Sequence, residues 1–192
     1  MNLSNENVCG LAIQLERKFN PLTGYQDPYG CGVGGLKRLD IQSPNVVKIT
    51  PLPASIFEQL DMYLLHTTVY RKSTPLLKKV NLSKCQSLLP LVDEMEKSLI
   101  DKDKKSFLEI INKGWRKKKE SSPYVASDPR VKNLDDRLHS SPQILAHRLC
   151  GAGNGGFFLA FADKKWKAAD NGMENISLPL NISKTGAQAA KV

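Results

Sequence analysis

Two stretches of the chain share a loose glycine spacing: Gly30, Gly32 and Gly35 fit GxGxxG, and so do Gly151, Gly153 and Gly156. Glycine reaches left-handed backbone angles and lets other groups come close to the main chain. Bare amides in such a run can form a concavity that holds an anion. A tight turn between two packed strands asks for the same residues, and the pattern leaves both readings open. A dinucleotide site is excluded, because it needs a strand before the glycines and a helix opening after them. The first run follows a proline-broken loop and the second leads into the strand-like Phe157-Phe158-Leu159. Neither continues into Gly-Lys-Ser or Gly-Lys-Thr, so a Walker A loop is excluded as well. Beside the first run stands Gln26-Asp27-Pro28-Tyr29. Asp before Pro favours a type I surface turn, yet a carboxylate next to a glycine loop can also take the proton of a hydroxyl during phosphoryl transfer.

Other chemistry is thinly supplied. Cys9, Cys31, Cys85 and Cys150 are scattered without a CxxC pair, which suits neither a disulfide framework nor a structural zinc site. His66, His139 and His147 lack metal-ligand spacing, and no tightly held transition metal is expected. The net charge of +9 fits a small anionic substrate as well as nucleic acid. The densest basic run, Arg116 to Lys119, carries no interleaved aromatics for stacking bases, so nucleic acid is an unlikely partner and the run reads as a solvated helix end. No apolar stretch approaches the roughly 18 residues of a membrane span and no signal peptide opens the chain, so a cytoplasmic location is expected.

The elements that must position these residues follow from periodicity. Val8, Leu11, Ala12 and Leu15 predict a helix over residues 4–19, ended by Asn20-Pro21. A glycine-rich loop over Thr23 to Gly35 leads to strands at Leu36 to Ile41 and Val46 to Ile49, separated by Ser43-Pro44-Asn45, and a third at Met62 to Thr67. Thr74 to Lys119 reads as helical. Leu88, Val92, Met95 and Leu99 form one face, Phe107, Ile111 and Trp115 another, with a break near Asp101 to Lys104. Asp128-Pro129 is a cap and first-turn proline for a helix to about Leu138. Ile144 to Cys150 and Phe157 to Ala162 flank the second glycine loop, and Leu178 to Ile182 supplies a last strand. The order predicts an α+β fold with an antiparallel sheet carrying helices on one face.

Four segments, in order, resemble the sugar kinases of the GHMP superfamily, most closely the heptose-phosphate kinases. Gly24-Tyr25-Gln26-Asp27-Pro28-Tyr29 with Gly34-Gly35 is similar to that family's G-x-Q-D-Q-Y…G-G segment. Tyr63 to Arg71 resembles its Y-T-G-x-x-R stretch, and Gly114-Trp115 with Lys117 to Lys119 its W-x-x-K helix. Gly151-Ala152-Gly153-Asn154-Gly155-Gly156-Phe157 resembles the G-A-G-G-G-G-F loop of the third superfamily motif. The chain departs at Pro28, at His66-Thr67-Thr68 where the family has Tyr-Thr-Gly, and at Asn154.

The resemblance implies a ferredoxin-like C-terminal domain over residues 53–192, preceded over residues 1–52 by the tail of the N-terminal kinase domain. It implies ATP-dependent phosphorylation of a sugar or sugar phosphate with Mg²⁺. Asp27 is then the catalytic carboxylate, Gln26, Tyr29, Arg71 and Lys118 meet the substrate, and Gly151, Ala152, Gly153, Asn154, Gly155 and Gly156 support the nucleotide site. The family's P-x-x-x-G-L-G-S-S loop has no counterpart in this sequence. The lone chain is therefore expected to be inactive or weakly active and to leave apolar surface open to self-association. It would then be half of a split kinase needing a partner chain, or a non-catalytic relic that binds sugar phosphates.

Overall fold

A computed structural model describes residues 4–43, 46–71 and 73–188 of the chain. Its first helix, α1 (Asn5–Phe19), begins where the Ser4 hydroxyl accepts the Asn7 amide, and Arg17 and Lys18 complement the dipole of its last turn. The helix matches the predicted one, but its buried side differs. Cys9 and Ile13 are buried, whereas Val8, Leu11 and Leu15 stay 40 to 58% exposed. The reason lies in the small core beside it, formed by Cys9, Ile13 and Tyr29, which seats only the flank of the apolar stripe.

The predicted loop after α1 is partly helical. Residues Gln26–Gly32 form α2, with Asp27 and Pro28 in the first turn, where a carboxylate and a proline are both well tolerated. Gly32 is needed for packing, because a Cβ there would run into the Cys9 sulfur. Strands β1 (Lys37–Ser43) and β2 (Val46–Pro51) then pair antiparallel, with Leu39 opposite Ile49 and an irregularity between Ile41 and Ser43. The predicted turn residues Pro44 and Asn45 lie outside the described residues. The Gly35 amide donates to Ser183 O and the Ala187 amide to Gly32 O. The residues from Ile182 onward thus join those up to Ala54 in one compact unit, and Ser55–Asn181 form a second.

The second unit is built on an antiparallel sheet in the order β4-β5-β3-β6, from β3 (Asp61–His66), β4 (Ile144–Leu149), β5 (Phe157–Ala162) and β6 (Ser177–Leu180). Alternation puts Leu65, Phe158, Ala160 and Leu149 on one face, and all four are fully buried. The helical stretch is more broken than its sequence suggests: α3 (Ser73–Leu77), α4 (Leu82–Gln86), α5 (Pro90–Ile100) and α6 (Lys104–Ser121). On α5 the buried residues are Leu91, Ser98 and Leu99, and Val92 is 42% exposed, so its inward face is rotated from the predicted one. On α6, Phe107, Ile111 and Trp115 are buried as expected. Asp128 caps α7 (Pro129–Ser140) by accepting the Arg130 amide. This is an α+β fold, and no described helix is long and apolar enough to cross a membrane.

Inside this core sits a carboxylate the sequence did not single out. Asp135 on α7, 6% exposed, accepts hydrogen bonds from Trp115 Nε1 at 2.7 Å and Lys119 Nζ at 2.8 Å, and its carboxylate lies 2.7 Å from His147 Nε2. One side chain thereby ties α6, α7 and β4. Burial pushes its pKa up, but the bonds from His147, Lys119 and Trp115 outweigh burial and hold it at about 2, below the ordinary 3.8. The folded-state value is depressed, so the stabilisation is complete above about pH 4 and is lost as the pH falls towards about 2, amounting to about 2 kcal/mol. Urea midpoints measured at stepped acid pH should fall steeply across that window. In Asp135→Asn the steep portion should be absent and the protein less stable at neutral pH.

Candidate active site

The second glycine loop joins β4 to β5. Its base is closed where the Cys150 amide donates to Phe157 O. Gly151, Gly153, Asn154, Gly155 and Gly156 all have positive φ, from 53° to 147°. Two of the glycines are also demanded by close approach. A Cβ on Gly153 would lie 2.8 Å from Val125 O, and one on Gly155 2.7 Å from Val69 O. Asn154 takes φ 53°, a conformation that asparagine tolerates better than most residues. Its side-chain oxygen accepts the Asp128 amide at 2.7 Å and the Ser127 hydroxyl at 3.1 Å. Asn154 thus links the loop to the start of α7, a role hidden in the sequence because its partner lies 26 residues away.

Two predicted site residues converge on this loop. Arg71 Nε donates to Gly153 O at 2.9 Å, and Lys118 Nζ donates to Leu149 O at 3.0 Å and Gly151 O at 2.6 Å. Two cations from separate elements therefore brace the loop through its carbonyls. Burial, followed by the charges of Arg148 and Arg71, lowers the Lys118 pKa to about 8, so this amine gives up its proton far more readily than an ordinary lysine. The run Arg116 to Lys119 is thus no simple solvated end: Lys118 turns to the loop and Lys119 to Asp135.

The other predicted residues lie in the first unit. Gln26 and Asp27 are exposed in the first turn of α2, and among the described residues no side chain pairs with the Asp27 carboxylate. Tyr29 is 7% exposed, packs with Cys9 and Ile13, and its hydroxyl is pushed above the ordinary pKa by burial. With Tyr25, Glu6 and Gln14 it lines a cleft of about 530 Å³ beside α1.

The loop amides answer the question of a nucleotide. Asn154 and Gly156 already donate to Val125 O and Val69 O, and the carbonyls of Gly151 and Gly153 face cations. This is a packed turn rather than an open amide cradle. No group of three His, Cys, Asp or Glu among the described residues could hold a metal ion. The ATP and Mg²⁺ that the sequence resemblance implies would therefore find the Asn154 and Gly156 amides already engaged, and Mg²⁺ at such sites is commonly held by one or two carboxylates together with the nucleotide's phosphates.

Backbone strain gives two tests. Gly153→Ala combines φ 97° with a clash on Val125 O and should destabilise the fold by about 2 kcal/mol or more. Thr68, a β-branched residue at φ 57°, stands where the family resemblance has glycine. Thr68→Gly should raise stability by about 1 kcal/mol, relief of strain exceeding the extra freedom of the unfolded chain. Thermal and urea unfolding of the two variants should move in opposite directions.

No protein-family model matches the chain. The bifunctional fucokinase/GDP-fucose pyrophosphorylase of Arabidopsis thaliana is 27% identical over 186 residues, which is 87% of this chain and 17% of that protein. A D-glycero-D-manno-heptose 1-phosphate kinase from Bacteriodes thetaiotaomicron superposes with a TM-score of 0.71 at 18% identity, covering 100% of this chain and 57% of that one. Lactococcus lactis galactokinase, solved with galactose, superposes at 0.69 and 13% identity, with 100% and 62% covered. The chain thus spans less than two thirds of the length of these proteins. What the superpositions establish is architecture alone: the chain shares its fold with about three fifths of each of these solved kinases.

Proposed function

We propose that the chain is the acceptor-handling portion of a cytoplasmic kinase that phosphorylates a sugar or sugar phosphate, with Asp27 as the group that receives the acceptor hydroxyl's proton. The reading takes residues 1–52 as the tail of the N-terminal kinase domain and residues 53–192 as the C-terminal domain. The observation that carries it is the setting of Asp27. Its carboxylate is exposed in the first turn of α2, no described side chain neutralises it, and it occupies the matching position of the Q-D-x-Y motif. A carboxylate with no described ion-pair partner is open to orient a hydroxyl and take its proton. Gln26 and Tyr29, on the same short helix, are the nearest candidates to contact the sugar, while Arg71 and Lys118 hold the glycine loop in shape.

The donor in this reading is ATP with Mg²⁺. In this reading the donor's phosphates are held by another segment of the kinase. The exposed stripe Val8, Leu11, Leu15 and Phe19, the last 90% exposed, offers a seat for such a segment. Self-association through the same stripe is the competing use.

Asp27→Asn tests the proposal in an assembly that turns over sugar. The kcat should drop by about two orders of magnitude or more with KM and the unfolding midpoint little changed, because an amide cannot take the proton. Near-normal turnover in that variant would remove Asp27 from the mechanism.

A further inference from the structure

Two of the four cysteines border one amine in the second unit. Strand β4 is an edge of its sheet, and α6 runs along that edge. Asn112 Nδ2 donates to Leu145 O at 3.1 Å, and Lys118 Nζ donates to Leu149 O at 3.0 Å and Gly151 O at 2.6 Å. The last two carbonyls belong to the neighbours of Cys150, so the Lys118 amine sits against the backbone on both sides of that cysteine. Short helix α4 packs at the end of the same α6. The Asn81 amide donates to Ser121 O at 3.4 Å and Lys84 Nζ to Glu120 O at 3.1 Å. Cys85 follows directly and is half-buried while Lys84 and Gln86 beside it are exposed, so it lies on the inward side of α4. Cys150 is half-buried as well.

The charges that act most on Lys118 are those of Arg148, Cys150, Arg71 and Cys85. Three cations thus gather around two thiols, and no carboxylate is among these neighbours. Arg148 lies two positions before Cys150 in extended chain, whose pairing continues through the Cys150 amide to Phe157 O, so both side chains project to the same face. Arg71 is held by Gly153 O, and its NH2 lies 2.7 Å from where a Cβ on Gly151 would stand. Lys and Arg favour the thiolate, which is the reactive form of cysteine. The other two cysteines are placed differently. Cys9 is 1% exposed and donates to Pro28 O, whereas Cys31 is exposed and shares the field of Lys37 with Cys9.

We propose that Cys150 is an oxidation site for small hydroperoxides and that Cys85 resolves it, joining α4 to the base of the glycine loop by a reversible disulfide. With hydrogen peroxide, the Cys150 thiolate attacks one oxygen and the O–O bond breaks. The departing hydroxide takes up the proton that the thiol gave up and leaves as water. The Cys85 thiolate then attacks the sulfur of the Cys150 sulfenic acid, forming the S–S bond and expelling hydroxide, which takes the Cys85 proton and leaves as a second water. Two thiols are oxidised, one peroxide is reduced, and a dithiol reductant restores the pair. The inference rests on this cluster alone and stands whether or not the chain transfers phosphate.

The test treats the full, reduced chain with one equivalent of hydrogen peroxide and follows each cysteine by peptide mass spectrometry. The intact chain should lose the mass of two hydrogen atoms, and the non-reduced digest should contain the Cys85 and Cys150 peptides joined. Cys31 should stay reduced although it is the more exposed thiol. In Cys85→Ser the reaction should stop at a Cys150 sulfenic acid that dimedone traps. Arg148→Gln should slow oxidation of Cys150 by about fivefold or more and leave the rate at Cys31 unchanged. Oxidation of Cys31 ahead of Cys150 would show that exposure rather than the cations sets reactivity and would overturn the proposal. So would a disulfide that links two chains, a Cys150 sulfenic acid that never pairs with Cys85, or an unchanged Cys150 rate in Arg148→Gln. If Arg148→Gln fails to fold, the competition between Cys150 and Cys31 in the unaltered chain decides alone.

Discussion

Five positive-φ residues in the loop between β4 and β5 constrain much of the second unit. Because Gly153 and Gly155 carry no Cβ, the backbones of Val125 and Val69 press directly onto the loop. Thr67, Val69 and Arg71 are then drawn to one side of it, through bonds to Gly156 and Gly153, and Lys118 closes the other. The Asn154 side chain reaches out to start α7. The loop is thus a junction where a strand end, a long helix and a capped helix meet. Glycine's conformational freedom and the vacant space beside its Cα are both used.

The polar core beside it obeys a related economy. Asp135 would be strongly destabilising if buried alone, but three donors surround it, and each comes from an element that must be fixed in place. Lys118 and Lys119, adjacent in sequence, serve the two centres in turn, one bracing the loop and the other the carboxylate. Adjacent helical residues point about 100° apart, so one basic turn of α6 can hold both. A charge run that reads as a solubilising surface is in this way half structural.

The first unit depends on a smaller constraint, the contact of Gly32 with Cys9, which fixes α2 against α1 and sets Asp27 at the helix start. Its core is small, and an apolar stripe of α1 remains exposed. Protein surfaces seldom leave such stripes without a use. In the second unit the corresponding resource is charge, since Arg71, Arg148 and Lys118 gather around two thiols.

Much of the architecture was legible because it rests on short-range rules. The cap at Asp128, the burial of Phe107, Ile111 and Trp115 at helical spacing, and the strand runs around Phe158 each follow from a few neighbouring residues. The glycines of the second loop marked a tight turn or an anion concavity without deciding between them, and only the geometry joined Arg71 and Lys118 to that loop. Other features had no local signal. The helix at Gln26–Gly32 overrides the turn preference of Asp-Pro because its glycine meets Cys9, and the inward face of α5 is set by its packing partners. Asp135 looks like any helical acid until Trp115, Lys119 and His147 arrive from other elements, and Cys85 and Cys150 border one amine only once α4 and β4 pack on α6. Sequence by itself determined most of the helices and strands, α2 being an exception, because caps, periodicity and φ preferences act within a few residues. Tertiary structure alone decided which charges are buried, which are shared and which remain available, because those outcomes depend on partners distant along the chain.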